Sequence, residues 1–287
     1  MSIGIAFVNG RYVLKRDATV NVEDRGYQFA DGVYEVIAVS KSRFIDLDAH
    51  LDRLSRSLSE LGIAWPCKRH VLILIFSKLL KRNHLKDGIV YLQITRGVAT
   101  RNHAFPNGTV RPSLVITVSR FGRPSYRKFK EGVKVVTMED NRWCRPDIKS
   151  ISLLPNVLAK EFAFKKDSFE TWYLDLDQTI TEGSSTNAWI VLKNGEILTR
   201  QLGTKILRGI TRERIIELAR SAGMLVTERP FSLQDALGAE EAFVTSTTAT
   251  VMPVIEIDRK IVGSGRPGPV TINLLKLYDE FCSRDHD

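Results

Sequence analysis

Several side chains in this 287-residue chain have the chemistry to hold anions. Leu207-Arg208-Gly209-Ile210-Thr211-Arg212 precedes and opens a helical pattern, where free N–H groups and the positive dipole end favour negative charge. Over residues 48–62, Leu51, Leu54, Leu58 and Leu61 form an apolar stripe. At about 100° per residue Arg56 falls opposite that stripe, whereas Arg53 lies on its flank and can reach inward. Arg101, two residues before His103, offers a guanidinium fork whose parallel, charge-assisted hydrogen bonds suit a carboxylate. Lys149 supplies an amine and Glu182 a carboxylate. Taken singly, each has a plainer account: Lys149 as a surface lysine, Glu182 as a loop carboxylate, Arg53 as a solvated helix residue, Ser246 and Thr247 as strand-end hydroxyls, and Tyr34 and His103 as structural residues.

Order along the chain changes that balance. Asp147-Ile148-Lys149-Ser150-Ile151-Ser152-Leu153-Leu154-Pro155-Asn156, followed by Thr181-Glu182-Gly183-Ser184-Ser185-Thr186-Asn187, resembles the fold type IV pyridoxal phosphate (PLP) enzymes, and the matches run from Asp24 to about Ile257. The resemblance implies that Lys149 is the Schiff-base lysine and that Glu182 faces the pyridine nitrogen of PLP. It assigns the phosphate to Ile210 and Thr211, to Ser246 and Thr247 in Thr245-Ser246-Thr247-Thr248, and to Arg53, with Leu207 behind the cofactor ring. Asp24-Arg25-Gly26-Tyr27-Gln28-Phe29-Ala30-Asp31-Gly32-Val33-Tyr34-Glu35-Val36 and the Arg101-x-His103 pair are similar to the D-amino acid aminotransferase branch. There Arg101, His103 and Tyr34 would trap the substrate carboxylate, with Arg101 and His103 reaching in from the neighbouring subunit of a homodimer with composite sites. Ala30 stands where that branch usually has glycine.

The expected activity is transamination between a D-amino acid, such as D-alanine or D-glutamate, and a 2-oxo acid, such as 2-oxoglutarate or pyruvate. Branched-chain L-amino acid aminotransferases and aminodeoxychorismate lyases share the fold but generally lack the Arg-x-His pair, and they form the alternative. The chemistry accounts for the residue set: PLP delocalises the carbanion left when the substrate α-proton departs. A lysine must hold the aldehyde and shuttle that proton, an acid must keep the ring nitrogen protonated, and phosphate and substrate carboxylate need separate traps.

Composition excludes other classes. At 43% apolar and 26% charged, the chain has ample material for a buried core. No stretch approaches the roughly 20 apolar residues that span a bilayer, and residues 1–10 lack the pattern of a signal peptide; a cytoplasmic protein without membrane partners is expected. Cys67, Cys144 and Cys282 are odd in number and lack paired spacing, so unpaired thiols and no metal are expected. The net charge of +9 raises a nucleic-acid-binding alternative, but the basic residues are scattered, and the densest run, 120–130, has the turn-rich composition of a solvated connection.

The elements that must position these residues describe a two-domain α/β (α+β) fold. The resemblance implies that residues 1–120 form a small α/β domain with the carboxylate trap, 121–131 a connection, and 132–287 a larger PLP-binding domain with a β-barrel-like core. The patterns predict a hairpin over 5–13 about Asn9-Gly10, strands at 33–39, 89–95 and 113–119, and helices at 48–62 and 70–82. Farther on they predict strands at 133–138, 172–176 and 242–245, a hairpin through 189–192 and Asn194-Gly195, and helices at 156–166, 208–222 and 270–282.

Overall fold

Asn9-Gly10 reverses the chain as a two-residue hairpin turn requires, with both residues at positive φ (+46° and +94°). The turn joins β1 (Ile5–Val8) to β2 (Arg11–Leu14). In this computed structural model, which describes residues 4–122, 124 and 126–283, the chain falls into two compact units. One comprises Met1–Gly122 and Ile148–Ser152, the other Arg123–Asp147 and Leu153–Asp287.

In the first unit, α1 (Arg25–Phe29) is followed by β3 (Gly32–Ser40), β4 (Arg43–Phe44), α2 (Leu47–Glu60), α3 (Arg69–Arg82), β5 (Gly88–Thr95) and β6 (Ser113–Ser119). The six strands form one sheet in the order β2-β1-β6-β5-β3-β4. Strand side chains alternate between faces, so Val33, Glu35 and Ile37 of β3 point to the core while Tyr34 points away from it. Leu51, Leu54 and Leu58 of α2 join Val33, Ile37, Leu92 and Ile116 in that core, each fully buried leucine contributing about 1.5–3 kcal/mol. Gly62, at φ +59°, lies just past the end of α2, as a helix-stopping glycine should. The Lys149 segment docks on the start of β3: Tyr34 N donates to Lys149 O (3.0 Å), and Ile151 N to Gly32 O (3.0 Å).

The second unit holds α4 (Tyr126–Glu131), β7 (Val133–Glu139), α5 (Leu154–Lys165), β8 (Glu170–Leu174), β9 (Ile180–Gly183), β10 (Asn187–Val191), β11 (Ile197–Thr199), α6 (Ile210–Ser221), β12 (Val226–Glu228), α7 (Leu233–Leu237), β13 (Glu241–Ser246), β14 (Thr250–Ile257), β15 (Lys260–Ile261) and α8 (Pro269–Ser283). Its sheet runs β12-β11-β10-β13-β14-β7-β8-β9, with β15 on β14. The ends of that order meet, because Ile180 N at the start of β9 donates to the carbonyl of Phe231, three residues beyond β12 (2.9 Å). The sheet therefore curls into a barrel-like wall around Trp172, Ile190, Leu198 and Met252. The basic run at 120–130 is less irregular than its composition suggests, since α4 forms within it. Among the described residues no helix is long and apolar enough to cross a membrane, and Cys67, Cys144 and Cys282 form no disulfide.

Candidate active site

In the first unit, Lys149 lies on a segment bridged to β3 through Val33 and Ser150, with its N–H donating to buried Ser57 on α2 (3.3 Å). Its Nζ stands 4.3 Å from the centroid of the Tyr34 ring, and that ring stacks on Tyr91. The amine is thus brought to Tyr34 by backbone pairing.

Arg53 does lie on the inward flank of α2, only 7% exposed. Two of its nitrogens donate to the carboxylate of Glu35, Nε at 2.7 Å and Nη2 at 2.8 Å, and His50 Nδ1 is 2.8 Å from the same group. Burial alone would raise the Glu35 pKa, but Arg53 and His50 overcome it and hold the carboxyl well below the usual range. Burial also pushes His50 below its ordinary value. The spacing of leucines could locate Arg53 but not its anchor: Glu35 lies in an otherwise apolar strand, and His50 is recognisable only as the residue one helical turn from Arg53.

Arg101 and His103 sit together on an exposed loop, both close to one aromatic ring. The guanidinium of Arg101 is 4.6 Å from the Phe29 centroid, and the His103 ring is 5.3 Å from it.

In the second unit, Glu182 is fixed on every side at the end of β9. Its Oε1 accepts from Arg142 Nη1 (2.6 Å), its Oε2 from Asn187 Nδ2 (3.0 Å), and Leu207 N reaches both oxygens (3.1 Å). Arg142 is in turn gripped by Asp140 through Nε and Nη2 (2.9 and 2.8 Å). Burial pushes the Glu182 carboxyl up, against the opposing pull of Arg142. Held ionisable and in one orientation by these donors, the carboxylate is the kind of group that partners a protonated ring nitrogen. Buried Glu170 shapes the turn that follows, accepting from Ser185 and Thr186.

Asn187 links Glu182 to the anion-binding end. It donates to Leu207 O (3.1 Å), two residues before Gly209, and pairs in register with Thr245, one residue before Ser246. The N-cap of α6, Gly209, makes no side-chain cap, so the first-turn N–H groups are not claimed by one. A Cβ on Gly209 would lie 1.9 Å from Asn187 Oδ1, which is why glycine is needed at this close approach. These features fit a group carrying a protonated ring nitrogen and an anion. Arg142, Asp140 and Asn187 were not singled out by type or spacing; Asn187 alone had a signal, as the end of the Glu182 motif.

Comparison with known proteins decides the family. The profile described as "Amino-transferase class IV" matches residues 32–257. The chain belongs to the class IV aminotransferases. It is a PLP-dependent aminotransferase, and its relatives at higher identity are similar over nearly their whole length. A D-alanine aminotransferase of Staphylococcus aureus (strain MSSA476) is 40% identical over 96% of this chain and 96% of that protein. One from Listeria innocua is 40% identical over 95% and 94%. Among solved structures, the branched-chain amino acid aminotransferase from Escherichia coli aligns with TM-score 0.89 at 24% identity, covering 97% of this chain and 94% of that one. The branched-chain amino acid aminotransferase from Thermoproteus uzoniensis, solved with norvaline, aligns with TM-score 0.85 at 24% identity, covering 97% and 94%. At such identities the structural likeness speaks for the class IV fold alone.

Proposed function

We propose that this class IV aminotransferase transfers the amino group of a D-amino acid to a 2-oxo acid, using pyridoxal phosphate, as a homodimer with composite sites. The similarity to D-alanine aminotransferases along almost the entire chain supports the D-amino acid reading, and so does the placement of Arg101 and His103 as an exposed pair about one ring. The observation that carries the cofactor assignment is the Glu182 cluster: a buried carboxylate held in one orientation by Arg142, Asn187 and the Leu207 N–H, in a chain whose α6 begins without a side-chain cap.

In this reading Glu182, Leu207, Ile210, Thr211, Ser246 and Thr247 hold the cofactor, and Arg53 adds charge to the phosphate. When bound, PLP supplies the electron sink for the departing α-proton. Lys149 moves that proton at the substrate α-carbon, and Glu182, fixed by Arg142, Asn187 and the Leu207 N–H, keeps a proton at the ring nitrogen. Tyr34 lines the substrate side beside Lys149. Arg101 and His103 receive the carboxylate in the site of the partner subunit.

Mixing Arg101→Ala with Lys149→Ala protomers tests the shared site. In a composite dimer one of the two sites escapes both substitutions, so activity returns in part; if each site is built from one chain, mixing restores nothing. Comparing D-alanine with L-leucine as donors to 2-oxoglutarate tests the substrate class, and faster turnover of L-leucine would move the enzyme to the branched-chain branch.

A further inference from the structure

Arg25 is one of the most buried charged residues in the first unit, at 2% exposure, yet nothing in the proposed chemistry uses it. Its Nε donates to Asp31 Oδ2 (2.8 Å). The rest of the guanidinium reaches three successive backbone carbonyls of one loop: Nη1 donates to Asn102 O (2.5 Å) and Ala104 O (3.4 Å), and Nη2 to His103 O (3.4 Å). Residues 101–105 are exposed and belong to no helix or strand, so ladder hydrogen bonds do not fix them.

Charge accounting explains the arrangement. Asp31 also accepts from Arg96, at Nε (2.8 Å) and Nη2 (3.1 Å), so two buried guanidinium groups share one carboxylate. Remaining donors on each must find neutral acceptors, because a buried unmatched N–H is costly. Arg96 turns to the carbonyls of Leu61 (2.7 Å) and Gly62 (3.2 Å). Arg25 turns to the 102–104 backbone. The contacts are charge-assisted and forked, hence directional.

The side chains repeat the pattern. Arg25 sits 4.8 Å from the Phe29 centroid, the same ring that Arg101 and His103 approach. One arginine thus holds both the backbone of the loop and the ring against which its two functional side chains rest.

We propose that Arg25 is a positioning residue for substrate recognition, setting where Arg101 and His103 present their donors to the substrate carboxylate. This rests on the reading that those two residues bind that carboxylate. A misplacement near 1 Å in such a trap costs about 100-fold, and its cost falls on binding of the amino acid.

The test compares wild-type holoenzyme with Arg25→Met, Arg25→Lys, Arg101→Ala and the Arg25→Met/Arg101→Ala double variant, measuring kcat and KM for D-alanine and the visible spectrum of the bound cofactor. Arg25→Met is expected to raise KM about 10- to 100-fold while kcat falls less than about threefold and the spectrum is unchanged. Arg25→Lys, which keeps the charge opposite Asp31 but cannot fork across three carbonyls, lies between and carries the test should the methionine variant fail to fold. The double variant should fall well short of the product of the two single effects, since the clamp acts largely through Arg101 and only its hold on His103 is left to lose. An unchanged KM in Arg25→Lys and Arg25→Met beside a raised one in Arg101→Ala overturns the proposal and spares the trap. A double-variant KM equal to the product of the two single effects also overturns it. An unchanged KM in Arg101→Ala removes the trap itself, and the clamp with it.

Discussion

Replacing Glu35 with glutamine would keep the shape of the side chain and remove its charge. That carboxylate is fully buried and accepts two donors of Arg53, at 2.7 and 2.8 Å, with His50 Nδ1 2.8 Å away. Removing one partner of a buried ion pair costs about 3–5 kcal/mol. The retained amide oxygen still accepts one donor, so the low end, about 3 kcal/mol, is expected. At about 2–4 °C per kcal/mol for a chain of this size, the melting temperature should fall by about 6–12 °C. The pH dependence has a definite sign. Because Arg53 and His50 hold the carboxyl down despite burial, the folded protein keeps Glu35 ionised where the unfolded chain takes up a proton. Its stabilisation is complete above the unfolded value of about 4.3 and is lost as pH falls through the lower folded value. In urea titrations the gap between wild type and Glu35→Gln should be widest near neutrality and narrow on acidification. A variant as stable as wild type at neutral pH, or a gap that widens in acid, would refute the reasoning.

Glu182→Gln should retain PLP, read from the visible spectrum, but slow turnover by at least about tenfold, since the ring nitrogen loses its charged partner; unchanged kcat would remove Glu182 from that role. Ala30→Gly should raise the melting temperature slightly. Ala30 closes α1 in the left-handed region at φ +55°, a conformation that costs a side chain about 1–2 kcal/mol, partly offset by the greater freedom of unfolded glycine. A loss of stability in that variant would mean the conformation is not strained.

Long apolar patterns were legible. The leucine stripe located α2 to within two residues at each end, and Asn9-Gly10 located the first hairpin. What escaped was short or depended on distant partners. Strand β9, which carries Glu182, is four residues long, too brief for alternation to register. Strands β11 and β12 have three residues each, and α4 hid in a basic run with turn residues. The candidate site residues stood in recognisable motifs, whereas the groups that hold them came from elsewhere: Arg142 lies 40 residues from Glu182, and Glu35 lies 18 from Arg53. Pairing of this kind is set by packing and leaves no local trace. Ala30 did leave one, as an alanine where glycine is usual, and the positive φ supplies the reason.

The five-residue segment of Lys149 belongs to the first unit although the chain on both sides of it belongs to the second. Its bridge from Ser150 to Val33 closes a loop of more than a hundred residues, an entropic cost of about 4 kcal/mol in flexible-chain terms. Pairings so remote in sequence form slowly, and this one must wait for β3 to be in place and for the intervening chain to be out of the way. Lys149 is therefore expected to be seated late in folding. Cutting the gene between residues 122 and 123 would yield a first half with a strand end awaiting its partner and a second half carrying a lysine with nowhere to dock.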